Sequence, residues 1–305
     1  MKIFAPKYVK SFKCIAQNCR HSCCIGWEID VDNDTLKRYQ SMKDKSILNT
    51  VDVGNESELC HFRLNPDGRC MNLSDVGLCK IICKYGEDFI PEICREHPRF
   101  YNRTRRGLEM GIGMSCEAAC RIILSTDDYG ITEYEKSETH DLPLPEFDAP
   151  SQIEEIYGIL SQSDEPYSKR LEKVFSLYNI PKSILEDENR WQSAFGSLEY
   201  LNESHRDAFT KYRYDNKTDK ENERLLERAL AYYILRHAST ADSTQDFRAR
   251  ITLAFLFERL YATLLSSKTA EDSEAAFEIA RVISEELEYS EDNIESLLFE
   301  IDFLL

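Results

Sequence analysis

From residue 151 onward, apolar residues recur at intervals of three and four. Ile153, Ile156, Tyr157 and Leu160 make one such row, Leu171, Val174, Phe175 and Tyr178 another, and Leu226, Ala229, Leu230 and Tyr233 a third. That period predicts amphipathic helices, each burying one stripe. Ser151 with Glu154, just after Pro150, reads as a capping box and predicts that the first of them starts there. Ile251 to Leu265 is apolar almost all round, the pattern of a fully buried helix. Two more amphipathic segments follow, about Phe277 to Leu287 and Ile294 to Phe303. No repeat of solenoid period is evident, so residues 151–305 predict a helical bundle or an irregular helical array. Aromatic side chains at such spacing are core before they are ligands.

The first 125 residues lack that regularity. Trp27 to Asp32 alternates like a short strand, Asp34 is the expected cap of a helix beginning near Thr35, and Gly107 to Gly113 predicts a second strand. Gly111-Ile112-Gly113 lacks the third glycine and the helix that a dinucleotide loop needs, so it reads as strand or turn. Residues 126–150 are acidic and end in a proline-punctuated run from Asp141 to Pro150, the expected linker. The fold class predicted is mainly α. A cysteine-rich metal-binding domain with short strands over 1–125 is followed by the acidic linker and an irregular helical domain over 151–305.

Charge sharpens this division. The formal net charge is −17, but residues 1–125 hold 19 Lys and Arg against 16 Asp and Glu, a net of +3, and the remainder holds 19 against 39, a net of −20. Such an acidic half repels phosphates, which argues against a nucleic-acid partner and leaves a lysine-bearing protein surface as one it could attract. Met1-Lys2-Ile3-Phe4-Ala5-Pro6-Lys7 has no apolar core of signal-peptide length and no run approaches a membrane span, so a cytoplasmic protein without a membrane partner is expected.

All eleven cysteines fall between Cys14 and Cys120. In a reducing compartment such a cluster points to metal ligation or redox chemistry rather than to disulfides, and an odd number fits disulfides poorly. Three pairs have C-x3-C spacing, Cys19 with Cys23, Cys79 with Cys83 and Cys116 with Cys120, which on a helix would put both sulfurs on one face. None extends to C-x3-C-x2-C, because Gly26, Gly86 and Ile123 stand at the third position, so the usual radical S-adenosylmethionine signature is absent. No C-x2-C pair of the zinc-finger type occurs either. Neighbouring Cys23 and Cys24 diverge and seldom serve one ion. Eight thiolates suffice for two four-sulfur sites, or for one cluster with further structural thiols, and all-thiolate sets suit zinc and iron–sulfur clusters alike.

The order Cys14-x4-Cys19-x3-Cys23-Cys24-Ile25-Gly26-Trp27, then Gly68-Arg69-Cys70-Met71-Asn72-Leu73-x4-Leu78-Cys79, Gly86-Glu87, Cys94-Arg95-Glu96-His97-Pro98-Arg99 and Ser115-Cys116-Glu117-Ala118-Ala119, resembles the flagellin lysine N-methylase family. The same pattern is similar to the wider iron- or zinc-chelating superfamily, and it spans about residues 8–125. The resemblance implies a cytoplasmic protein-lysine N-methyltransferase that methylates lysine side chains of flagellin with S-adenosylmethionine. It also implies a 4Fe-4S cluster in the cysteine domain, with zinc as the alternative. The family cysteines carried over are Cys14, Cys19, Cys23, Cys24, Cys70, Cys79, Cys94 and Cys116. Cys83 replaces the polar residue expected there, and Cys60 and Cys120 lie outside the pattern.

Methyl transfer to lysine needs a neutral amine, whose free pKa is about 10.4, so the site must desolvate it or supply a base. No residue is singled out as that base. Arg95 or Arg99 would hold the cofactor's carboxylate bidentately; the dense basic segment they share with Arg103, Arg105 and Arg106 reads equally as intramolecular ion pairs. His21, between cysteines, is either a supporting donor or a loop residue. His237 reads as the end of a helix rather than a base. The rival functions are a non-catalytic iron or zinc protein for storage, sensing or assembly, and an electron-transfer protein.

Overall fold

The computed structural model describes residues 1–53, 60–136, 143–214, 220–267 and 273–305. The chain divides into two compact units. A cysteine unit comprises Lys13–Phe100 and Cys116–Ala118; a helical unit comprises Met1–Phe12, Tyr101–Ser115 and Ala119–Leu305.

Seven strands are described: β1 Lys2–Pro6, β2 Ile29–Asp30, β3 Val51–Asp52, β4 His61–Phe62, β5 Arg99–Thr104, β6 Gly107–Ile112 and β7 Ile131–Lys136. In the cysteine unit, β2, β4 and β3 form a small antiparallel sheet in that order, with Ile29 and Val51 both opposite Phe62. Three helices accompany it, α1 Asn33–Ser41, α2 Lys80–Tyr85 and α3 Glu92–Glu96. Asp32 caps α1, not Asp34. Its Oδ1 accepts the Thr35 amide at 2.9 Å, and its Oδ2 accepts both the Thr35 hydroxyl and the Glu92 amide at the head of α3, each at 2.9 Å. The core beneath holds Ile29, Val31, Tyr39, Phe62, Leu73 and Ile81, and the Tyr39 hydroxyl donates to the Phe89 carbonyl at 2.5 Å.

The helical unit opens on a four-stranded sheet of order β5-β6-β1-β7, in which β1 runs parallel to β6 and antiparallel to β7. Gly107 permits the close approach of β6 to β1: at φ +142° its α-carbon faces the Lys2 carbonyl, and a Cβ there would collide with it. Strand β7 lies within the 126–150 stretch expected as linker, and positions 137–142 of that stretch fall outside the described residues.

The helices follow as α4 Glu117–Ser125, α5 Ala149–Leu160, α6 Tyr167–Leu177, α7 Ser183–Glu186, α8 Glu188–Ser197, α9 Arg206–Phe209, α10 Lys220–Ala238, α11 Thr244–Ser266, α12 Ser273–Ile283 and α13 Glu291–Leu304. The protein is thus mainly helical, as its periodicity predicts. Every member of the rows at Ile153, Leu171 and Leu226 is buried, and α11 is buried from Phe247 to Thr263 at nearly every position. Helix α5 begins two residues before the predicted capping box, because Asp148 is the cap and accepts the Ser151 amide at 3.3 Å. Glu154 instead pairs with Arg106.

Several buried hydroxyls and rings find backbone partners, as burial favours. The Trp191 indole donates to the Ile184 carbonyl at 2.6 Å, the Tyr157 hydroxyl to Ala231 at 2.6 Å and the Tyr212 hydroxyl to Leu185 at 2.9 Å. A π-helical turn, Ser284–Glu288, follows α12 and brings the Glu288 carboxylate into the core. There it accepts the Tyr232 hydroxyl at 2.9 Å and meets His237 Nε2 at 2.9 Å.

Candidate functional site

All eleven cysteines are thiols rather than disulfides. Four of the predicted ligands lie at one core of the cysteine unit: Cys70 is part of that buried core, and Cys24, Cys79 and Cys94 pack against it half-buried. Local backbone bonding explains the convergence. The Cys70 amide donates to the Cys24 carbonyl at 2.8 Å, isolated bridges join Leu64 to Cys70 and Leu73 to Cys79, and Cys94 stands in α3 with its amide on the Pro91 carbonyl at 3.1 Å. Cys79 occupies the N-terminal flank of α2, where the amides of Ile82 and Ile81 oppose the rise that burial gives its thiol.

The electrostatics reflect this gathering. Burial pushes the thiols of Cys70, Cys79 and Cys94 up, and each is raised further by proximity to Cys24. Cys24 is the exception: a hydrogen bond from Cys23 draws its thiol down to about 7, burial opposes this, and the Ser22 hydroxyl helps. Cys23 is correspondingly pushed up, first by holding its proton in that bond and then by burial.

The other predicted ligands are placed differently. Cys14 and Cys23 are exposed, and Cys23 feels Cys94 and Cys14 as well as Cys24. Cys19 directs its sulfur to the His21 carbonyl at 3.3 Å, which gives His21 a backbone role here. Cys116 is half-buried beside Glu117, whose carboxylate accepts the Arg20 amide at 2.9 Å and its Nε at 3.2 Å. The C-x3-C pair Cys116 and Cys120 belongs to two units, Cys116 to the cysteine unit and buried Cys120 to the helical unit, with its sulfur on the Phe277 carbonyl at 3.3 Å. Cys60, outside the sequence pattern, packs against the same core as the quartet, while Cys83 is exposed.

Arg95 is exposed on α3, 3.9 Å from Glu96, and Arg99 is half-buried at the start of β5. Arg106, in the helical unit, is taken up by Glu109 at 2.6 Å and by Glu154, the intramolecular pairing foreseen as one reading of the basic segment. His97 is half-buried, and burial lowers its pKa. Asn72 escaped notice in the sequence. Its N–H groups draw the Cys70 thiol down against the effect of burial, and its Nδ2 donates to Thr50 Oγ1 at 2.9 Å. The C-x-N spacing after Cys70 was the available signal.

In kind, the donors fit an iron–sulfur cluster or zinc: the Cys70, Cys79 and Cys94 thiols, raised by burial, would ionise readily only against a cation, and Cys24 ionises more easily. As folded here they do not form a cage, since among the described residues no three His, Cys, Asp or Glu side chains are grouped so as to hold a metal ion.

A thiol-rich unit and a mainly helical unit, then, define the class of protein. No family model and no solved structure matches the chain. Curated proteins do. It is 26% identical over 136 residues to the lysine-N-methylases of Salmonella typhimurium and Salmonella choleraesuis, covering 42% of this chain and 34% of each of theirs. It is 25% identical over 145 residues to the flagellar biosynthetic protein FliU of Salmonella muenchen, covering 45% of this chain and 86% of that one. These proteins are distant relatives of the chain, and the match spans about a third of the length of the two methylases.

Proposed function

We propose that this chain methylates lysine side chains of a protein substrate, flagellin foremost, with S-adenosylmethionine as donor and an iron–sulfur cluster held by cysteines. The relatives named for lysine N-methylation and for flagellar biosynthesis support the reaction and the substrate. One observation supports the cluster: Cys70 lies in one buried core, Cys24, Cys79 and Cys94 pack against that core, and the proximity of Cys24 raises the other three thiols. These four are the proposed 4Fe-4S ligands, and Cys14, Cys19, Cys23 and Cys116 remain for a second site or for support. Zinc on the same thiolates is the alternative. When bound, the cluster would supply a thiolate-anchored rigid centre, with one cysteine on each iron.

The methyl step is a displacement. The neutral lysine nitrogen forms a bond to the sulfonium methyl as the S–C bond breaks, S-adenosylhomocysteine leaves, and the resulting ammonium loses its proton to water or a base. Arg95 and Arg99, on the segment that carries Cys94, are proposed to hold the donor's carboxylate. Among the described residues no helix is long and apolar enough to cross a membrane, and action in the cytoplasm is part of the proposal.

The test begins with anaerobic purification and assays of iron, sulfide and zinc on one sample, then incubation with methyl-labelled S-adenosylmethionine and flagellin. About four irons and four sulfides per chain, and label on flagellin lysines, are expected. Zinc without iron would sink the cluster. Label that never reaches a lysine would sink the methylase reading and favour a non-catalytic metal protein.

A further inference from the structure

Helix α13 turns Asn293, Leu297 and Ile301 inward and leaves two large apolar side chains outside, Phe299 at 74% and Phe303 at 78% exposure. Between α13 and α8 runs a groove of about 930 Å³, with Ser193 on the α8 wall and Glu295 and Phe299 on the α13 wall. Among the described residues Arg190 is the sole cation lining it, and it is already committed: its Nη1 pairs with Glu300 at 2.7 Å and its Nε stands 3.5 Å from Asp187. Glu295, exposed one turn before Phe299, adds a carboxylate with no cation beside it in the lining. The whole helix carries Glu291, Asp292, Glu295, Glu300 and Asp302 and no Lys or Arg.

We propose that this groove docks a lysine-bearing amphipathic segment of the protein substrate, deepening the methylase reading on which it rests. Exposed Phe299 on the groove wall, with Phe303 one turn further along the same helix and the Glu295 carboxylate beside it, matches a segment that offers apolar side chains flanked by ammonium groups. The carboxylates would repel nucleic acid and anionic lipid, which leaves a cationic protein segment as the complementary occupant. Phe299 supplies the apolar anchor, and Glu295 orients the segment by charge. With a net −20 over the C-terminal 180 residues, any cation will adhere weakly, so the test must separate place from charge.

The probe is a fluorescein-labelled peptide with leucines on one helical face and lysines along its edges, titrated by anisotropy against the full chain without methyl donor. Glu295→Lys and Phe299→Ala should each weaken binding at least about tenfold. Asp164→Lys makes the same charge change at an exposed position outside the groove lining and should stay within about twofold. Equal losses in Glu295→Lys and Asp164→Lys would overturn the proposal, as would a dimer that Phe299→Ala dissociates, since a second copy would then be the occupant. Methyl transfer to flagellin is measured separately on the same proteins. Transfer by the wild type that Glu295→Lys leaves unchanged at subsaturating flagellin refutes the groove and keeps the methylase; groove-dependent peptide binding without any transfer does the reverse.

Discussion

The two units solve the stability problem with different materials. The helical unit buries whole aromatic side chains, among them Trp191, Phe195, Phe255 and Tyr261, between helices as long as α10 and α11, and satisfies their polar tips on backbone carbonyls. The cysteine unit has strands of two residues, three helices of nine residues or fewer, and a core in which Cys70 occupies a hydrocarbon's place while Cys24, Cys60, Cys79 and Cys94 edge it. Area buried can hold the first together. On the proposed reading, in which the thiols bind a metal or cluster, the second would owe part of its order to that group, because structural metal sites supply folding free energy that a small core lacks.

Metal removal is the largest test of that contrast. Stripping the purified protein with a chelator and reductant should raise hydrogen exchange at Val31, Cys70 and Cys83 by about a hundredfold or more, since these amides bond to the carbonyls of Cys60, Cys24 and Cys79 within the thiol-bearing loops. Amides in α10 and α11 should change by less than about twofold. Uniform loss of protection in both units, or none in either, would erase the distinction.

That distinction also governs what the sequence discloses. Helices α5, α6, α10 and α11 were legible because one period, expressed by Ile153 with Ile156 and Leu160 or by Leu226 with Leu230 and Tyr233, both forms the helix and selects its buried face. Their exact starts were not. Asp32 and Asp34 are both competent caps, as are Asp148 and Ser151, and the choice falls to whichever side chain stands where helical bonding begins. Among the thiols, order in sequence singles out eight cysteines but carries nothing of which of them pack together: Cys24 reaches Cys70 through a backbone bond across 46 positions, while Cys19 turns to the carbonyl of His21. The π-helical turn that buries Glu288 leaves no periodic trace, so the Tyr232, His237 and Glu288 network could not be read in advance.

That network gives a smaller effect confined to the helical unit. His237→Gln should cost about 2–3 kcal/mol at neutral pH, because the buried Glu288 carboxylate loses one of its donors. The cost should shrink in acid. Burial holds the His237 pKa below its ordinary value against the raising effect of Glu288, with Arg236 and Arg250 reinforcing the depression. Below about pH 6.5 the unfolded wild type therefore takes up a proton that the folded state refuses, and wild-type stability falls as pH drops toward the depressed pKa. The variant lacks that loss. Urea unfolding at about pH 8 and pH 5.5 should show the gap narrowing, and a gap that widens in acid would mean that folded His237 is charged.

The smallest effect belongs to the cysteine unit and touches no thiol. Asp32 joins two short helices, capping α1 through Thr35 and holding the first amide of α3 at Glu92, so that α3 and its Cys94 are tied to α1 by one carboxylate. Asp32→Ala should cost about 1–2 kcal/mol, the worth of a cap with one additional bond. Against the upward pull of partial burial, the Glu92 and Thr35 amides and the Thr35 hydroxyl hold the Asp32 carboxyl below its ordinary value. A depressed carboxyl stabilises the fold above its unfolded pKa of about 3.9 and loses that contribution as pH falls through the folded value, so the variant and the wild type should converge only in strong acid. Asp32→Asn keeps an acceptor and should recover about half of the loss at pH 7. If thiol binding carries the order of this unit, Asp32→Ala will be more damaging in the metal-stripped protein than in the loaded one; equal damage in both would show that α1 and α3 are held by their own packing.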